Sequence, residues 1–391
     1  MKSWRNILIC VVLFIVFIVS FDSYLTFMIK QKYNKNITSV YGEPIKDQGT
    51  ILQQISVDNN DILVFGSSDF VNEMDQNPKS FFPTEEMPYN ANIIGRAGTC
   101  DLAHMLNIND LDFTNNKKVV YLVSFPWFVD PSINKESFYA NFSRNKFYHF
   151  MMDNTIPDSD KIYMAQRVSN LANTITNTDA LDAWVYAKLC SKKSFIFGAV
   201  QAISYPYLSF ECTIFNLKDK ALSLQYLNTV KPYTQRQPRH VDWSNELDKA
   251  NREGKDAVHD SKFYLNDGFA NYMSDKIAAL KDSQANTDLN SSLEYQDYEA
   301  FLKTCKRKNI KPLIIIQSVN GWYYDYIGIN KEKRQTAYAR LKQMAQDYGF
   351  TAYDMTDYEY IPYAYNDIFH LGWKGWLYVD QKITEYFNSG V

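Results

Sequence analysis

Cysteine is scarce in these 391 residues: there are five, none in CxxC spacing, and no metal-binding pattern forms around them. Neither a metal nor a cofactor is expected. Cys10 lies in an apolar run, and Cys100, Cys190, Cys212 and Cys305 are left to pair or stay free. Glycine and proline are also sparse, at 14 and 12, against 46% hydrophobic and 16% aromatic residues. That excludes collagen-like, low-complexity and largely disordered chains. No charge of one sign dominates either, with 41 basic and 44 acidic residues, a formal −3. A nucleic-acid binder needs a basic field that this chain lacks. Residues 1–36 hold Lys2, Arg5, Lys30, Lys32 and Lys35 against Asp22 alone. Taking those away leaves 36 basic and 43 acidic residues, a formal −7 for the remainder.

What is present begins with a long hydrophobic run. Ile7 to Phe21 carries no charge, and Trp4 to Phe21 supplies eighteen residues where a bilayer core needs roughly 20 in a helix. A secretory signal peptide starts similarly, but after Ser20 stand Phe, Asp, Ser and Tyr rather than a small-residue cleavage site. An uncleaved single-pass anchor is the expectation for residues 1–36. Lys2 and Arg5 place the N-terminus in the cytoplasm and residues from about 36 outside. Residues 37–60 read as a polar, irregular stalk, and 61–391 as one extracellular domain.

Short unalternating apolar runs recur at Asp61–Ser67, Asn92–Ile94, Lys118–Val123, Pro312–Gln317 and Phe350–Asp354. Such runs suit strands buried on both faces. Helical patterns at Thr99–Ile108, Lys331–Tyr348 and Trp373–Phe387 alternate with them. The fold class is therefore α/β, a three-layer α/β/α sandwich around a parallel sheet. Between about 130 and 302 lies a Tyr-, Asn- and Lys-rich stretch with helical periods around Ile162–Leu189 and Asp267–Leu302. It reads as one mostly helical insertion, either shielding a cleft or enlarging the core. The closing helix covers the sheet, or its Trp373 and Trp376 touch lipid headgroups.

Three motifs converge if the sheet is parallel, because ligands bind at its C-terminal strand edge. Gly66-Ser67-Ser68-Asp69 follows the first strand, where a strand-to-helix turn exposes a hydroxyl and aligns backbone N–H groups. The same residues also suit a helix N-cap or a phosphate-binding turn. Gly95-Arg96-Ala97-Gly98-Thr99 follows the second strand, and its glycines allow close backbone approach. Asp367-Ile368-Phe369-His370 lies near the C-terminus, where a carboxylate three residues before a His can hold the Nδ1–H and leave Nε2 free as a base. Of five His, the other four being His104, His149, His240 and His259, only His370 has such a context.

The order Ser, Gly, then DxxH resembles the SGNH/GDSL hydrolase superfamily. More specifically, FGSSDF, IIGRAGT, VSFPWF and DIFHLGWKGWLYVD resemble the DltD family, membrane-anchored proteins of Gram-positive teichoic acid D-alanylation. The resemblance implies Ser68 as nucleophile with Ser67 as the alternative, His370 as base and Asp367 as its orienting carboxylate. It also implies oxyanion donors at Ser68 or Asp69 and at Gly98. It implies a D-alanyl donor on a carrier protein or a membrane acyltransferase, and a teichoic acid hydroxyl as acceptor. Arg96 and Lys374 are the cations placed to face phosphate. The superfamily's third-block Asn is absent: Ser124-Phe125-Pro126-Trp127-Phe128 stands there, with Phe-Pro where the DltD pattern has Pro-Gln. A cell-wall esterase or thioesterase with the same triad, and a non-catalytic scaffold recruiting the D-alanylation machinery, are the competing readings.

Overall fold

The computed structural model describes residues 2–33, 37, 40–129, 135–171, 181–193, 195–231, 236–259 and 262–389. All five apolar runs are strands: β1 (Ile62–Phe65), β2 (Ala91–Ile94), β3 (Val119–Ser124), β4 (Leu313–Gln317) and β5 (Ala352–Asp354). They pair in parallel in the order β2-β1-β3-β4-β5. Successive side chains leave opposite faces of a strand, which gives this sheet two cores. Leu63, Phe65, Val119, Tyr121, Ile314 and Ile316 enter one, and Ile62, Val64, Val120, Leu122, Leu313 and Ile315 enter the other. Each such side chain, fully buried, contributes about 2 kcal/mol relative to exposure. The alternation that marks a half-exposed strand is missing from the sequence because both faces are covered.

The helices that supply those covers are numbered in chain order. They are α1 (Lys2–Lys32), α2 (Pro44–Gln48), α3 (Ile51–Asp58), α4 (Asp101–Asp110), α5 (Arg144–Met152), α6 (Asp158–Leu171), α7 (Leu181–Cys190), α8 (Phe195–Leu227), α9 (Trp243–Ala257), α10 (Glu294–Arg307), α11 (Lys331–Asp347) and α12 (Trp373–Asn388). The first core is closed by α4, α5, α10 and α11, the second by α9 and α12. The insertion thus provides outer-layer helices to both faces of the sheet rather than hanging from one edge. Its described residues contain no strand. Asp130 and residues 172–180, parts of its expected span, lie outside the described residues.

Two expectations need correction. Pro44–Gln48 and Ile51–Asp58 are helices within the expected irregular stalk: Glu43 caps α2 by accepting the Ile45 N–H, and Leu52 and Ile55 of α3 bury against Ile29 and Leu227. Local polarity concealed an apolar stripe too short to show a period. Trp373 and Trp376 do not reach lipid headgroups either. Both are buried in the second core, where Trp376 stacks on Phe70 with ring centroids 5.8 Å apart. All five cysteines are unpaired, four of them buried. Helix α1 is long and apolar enough to cross a membrane, and the residues of its apolar run are exposed.

Candidate functional site

Strand β1 ends at Phe65 and the chain turns through Gly66-Ser67 into a single 3-10 turn, Ser68–Val71. The turn is clamped from both sides. Gly66 donates its N–H to the Ile94 carbonyl at 3.1 Å, and a Cβ on Gly95 would stand 1.9 Å from the Gly66 carbonyl oxygen. Only a glycine at 95 lets the second loop close on the first. The buried hydroxyl of Ser67 points to the Arg96 carbonyl at 3.3 Å. Ser68 therefore presents its hydroxyl the other way, and His370 Nε2 lies 2.8 Å from Ser68 Oγ, across 302 positions of sequence.

The loop carrying His370 is held at every turn. Asp367 Oδ1 accepts the N–H groups of Phe369 and His370 at 3.0 and 2.9 Å, and its Oδ2 lies 2.7 Å from His370 Nδ1. Asn266, in the insertion, donates both backbone and side-chain N–H to the Asn366 carbonyl, and Asn320 donates its N–H to the Ile368 carbonyl. Burial pulls the His370 pKa down, but the hydrogen bond and charge of Asp367, with the charge of Asp69, outweigh it and leave it above 6.5. Asp69 is fully buried and accepts the Ser67 N–H. Burial lifts its carboxyl above the usual range, against the opposing pull of His370, the Ser67 N–H and the Gln317 amide.

Gly98 adopts φ +77°, and a Cβ there would meet Ser137 at 2.5 Å. Its N–H has no acceptor among the described residues. Asn141 fixes this loop by accepting from Arg96 Nε and Thr99 Oγ1 and donating to the Ala97 carbonyl. Arg96 thereby has its guanidinium engaged with Ala140 and Asn141. Lys374 lies over the Tyr363 ring at 5.4 Å, and burial lowers its pKa. In the segment after β3, Phe125 is wholly buried against Tyr338, so it packs the core rather than lining the site. The polar side chain at this rim comes from the neighbouring strand. Gln317, paired with Ser124 in register, donates to the Phe369 carbonyl at 2.6 Å and lies against Asp69.

Three positioning residues were invisible as motifs: Asn141, Gln317 and His104. Gln317 carried a signal, since a polar residue closing the run PLIII marks the same sheet edge as Ser68. His104, on α4, lies beneath the turn with Nε2 2.8 Å from the Gly66 carbonyl oxygen. A carbonyl only accepts, so Nε2 carries the proton. Burial holds its pKa down at about 4. A folded-state pKa below the unfolded value near 6.5 means that this contribution is intact above pH 6.5 and lost as pH falls toward 4. We expect about 3 kcal/mol of folding stability to vanish between pH 7 and pH 4 from this group. Denaturant unfolding of wild type and His104→Gln at both pH values should show the component in wild type alone.

The described residues contain no cluster of His, Cys, Asp and Glu able to hold a metal. Residues 39–388 match the family described as DltD protein. Protein DltD of Bacillus subtilis is 27% identical over 372 residues, covering 94% of this chain and 93% of that protein. Protein DltD of Staphylococcus aureus is 27% identical over 393 residues, covering 100% and 97%. The same-named protein of Lacticaseibacillus rhamnosus is 24% identical over 351 residues, covering 88% and 81%.

Proposed function

The chain belongs to the DltD family, whose role lies in teichoic acid D-alanylation, and from that premise we propose that it is a membrane-anchored serine O-acyltransferase. It would pass D-alanine from an activated ester or thioester to a teichoic acid hydroxyl on the outer face, by way of a D-alanyl ester on Ser68. The observation that carries this reading is the 2.8 Å contact between His370 Nε2 and Ser68 Oγ, with Asp367 on the far nitrogen.

The steps follow from those atoms. His370 takes the Ser68 proton as Oγ attacks the D-alanyl carbonyl. Asp367 holds the ring in the tautomer that leaves Nε2 free to accept, and stabilises the imidazolium that forms. Backbone N–H groups at Ser68 or Asp69 and at Gly98 receive the oxyanion, each such donor being worth about 3 kcal/mol. The intermediate collapses, the donor's oxygen or sulfur leaves with the proton from His370, and D-alanine remains esterified to Ser68. A polymer hydroxyl then gives its proton to His370, attacks the ester carbonyl and departs carrying D-alanine, while the proton returns to Ser68. Arg96 and Lys374 are the nearby cations for polymer phosphate. With the remainder of the chain at −7, attraction of a polyanion has to be local.

Transfer and hydrolysis share every step except the identity of the second nucleophile. The full-length chain in lipid is to be incubated with a D-alanyl thioester, with and without lipoteichoic acid. Acyl release that requires the polymer, with D-alanine recovered on it, is the expected result. Release at the same rate without polymer would make the protein an esterase.

A further inference from the structure

Helix α8 runs for 33 residues, and from Phe195 to Leu217 its only charged residue is Glu211. A helix of a soluble domain normally shows a polar outer face; this one does not. Ile203 is 81% exposed, and Tyr207 and Phe210 are half exposed. Leu181, Val185 and Leu189 of α7 are exposed beside them, and α7 and α8 together line a cavity of 760 Å³. Of the three lining charges, Arg144, Asp182 and Glu211, the first two pair with each other at 2.8 Å. An apolar surface of this extent marks an interaction site.

What covers it follows from its neighbour. Helix α8 packs on α1, and two contacts fix their relative sense: Lys220 pairs with Asp22 at 2.6 Å, and Lys32 bonds Asn228 at 2.5 Å. The helices therefore run in the same direction. Going back from Lys220 to Ile203 covers about 26 Å of helix, and going back from Asp22 to Trp4 covers about 27 Å. Both journeys leave the Asp22–Lys220 pair on the same side, one along the exposed apolar run of α1 and the other along the exposed face of α8. None of the apolar window of α1 is buried, so α8 parts from it beyond the Asp22–Lys220 pair and is free to turn along the membrane surface. Exposed Lys188, Lys192 and Lys193 at the end of α7 supply the basic flank that interfacial helices use against anionic headgroups.

We propose that the exposed face of α7 and α8 lies in the lipid interface of the leaflet on the catalytic domain's side. The domain is then held to the bilayer by a broad apolar surface as well as by α1, and its sheet edge keeps a fixed attitude to the membrane. This rests on the reading of α1 as a membrane span.

Spin labels test it in the full-length chain. With Cys10→Ala removing the exposed thiol, single cysteines are introduced as Ile203→Cys, Ile15→Cys and Leu247→Cys, and the protein is reconstituted in anionic liposomes free of other protein. Collision with dissolved oxygen reports lipid, and collision with a soluble nickel chelate reports water. We expect 203 and 15 to favour oxygen several-fold over 247, an exposed apolar position on α9. A water-like 203 beside a lipid-like 15 overturns the interfacial face and leaves the anchor standing. Water-like values at both overturn the anchor reading and the proposal with it. A label at 203 reached by neither reagent assigns the face to a second copy of the chain and also overturns it.

Discussion

Ser68→Ala should abolish D-alanyl transfer and labelling by a fluorophosphonate, while Ser67→Ala should keep both. The loss expected is roughly 10⁴-fold or more, since removing a triad nucleophile leaves only binding and the oxyanion donors. The contrast between neighbouring serines comes from the direction each hydroxyl takes. Ser67 Oγ is buried and turned to the Arg96 carbonyl, whereas Ser68 Oγ meets His370 Nε2 at 2.8 Å. Ser68 is partly exposed and its hydroxyl bonds the His370 ring at the surface of the cleft, so thermal unfolding of Ser68→Ala should stay close to that of wild type. That separates lost chemistry from lost fold. Labelling that persisted in Ser68→Ala and vanished in Ser67→Ala would move the nucleophile by one residue. Teichoic acid D-alanylation at the wild-type level in Ser68→Ala would overturn the catalytic reading and favour a scaffold.

The sheet was legible in the sequence for a simple reason. Strands covered on both faces must be apolar at consecutive positions, as at Ile62–Phe65 and Leu313–Gln317, and no other short element demands that. Once the strands were found, their C-terminal ends located the Ser68 turn and the Gly98 loop, while Gln317, at the end of a strand on the same edge, was passed over. The insertion was harder to resolve. Helix α8 carries apolar residues on its exposed as well as its buried side, so no period set it apart in the sequence. The supporting shell was the least legible part. His104 acts through one bond to a backbone carbonyl and Asn141 through three to the Gly98 loop, and one polar residue inside an apolar helix or a polar insertion is indistinguishable in sequence from many others. Buried Phe125 shows the converse: a motif position that departs from its family pattern became core, and the adjacent strand provided the polar side chain.

Asp367→Asn should lower the rate of transfer about 10⁴-fold while leaving the loop in place. Asp367 Oδ1 already accepts two backbone N–H groups, from Phe369 and His370. In the variant only the amide oxygen can occupy that position, so the NH₂ group must face Nδ1. An amide donor there makes Nδ1 the acceptor and puts the ring proton on Nε2, where it can no longer take a proton from Ser68. The pH profile gives a second, independent signature. In wild type the base works only when neutral, and the folded-state pKa of His370 is raised, so the rate should climb with pH through an inflection above 6.5 and then level off. Asparagine removes both the hydrogen bond that favours the charged ring and the Asp367 charge, leaving burial opposed by Asp69 alone. The inflection therefore moves to lower pH as the plateau falls. Folding stability follows the same linkage with the opposite sense. The raised pKa of His370 contributes stability that is complete below 6.5 and is lost as pH rises through the folded-state value. Asp367→Asn should shrink that component, measurable as a flatter dependence of unfolding free energy on pH from 6 upward. A reduced plateau with an unmoved inflection would mean that Asp367 does not set the ionisation of His370, and the triad assignment would fail at its third member.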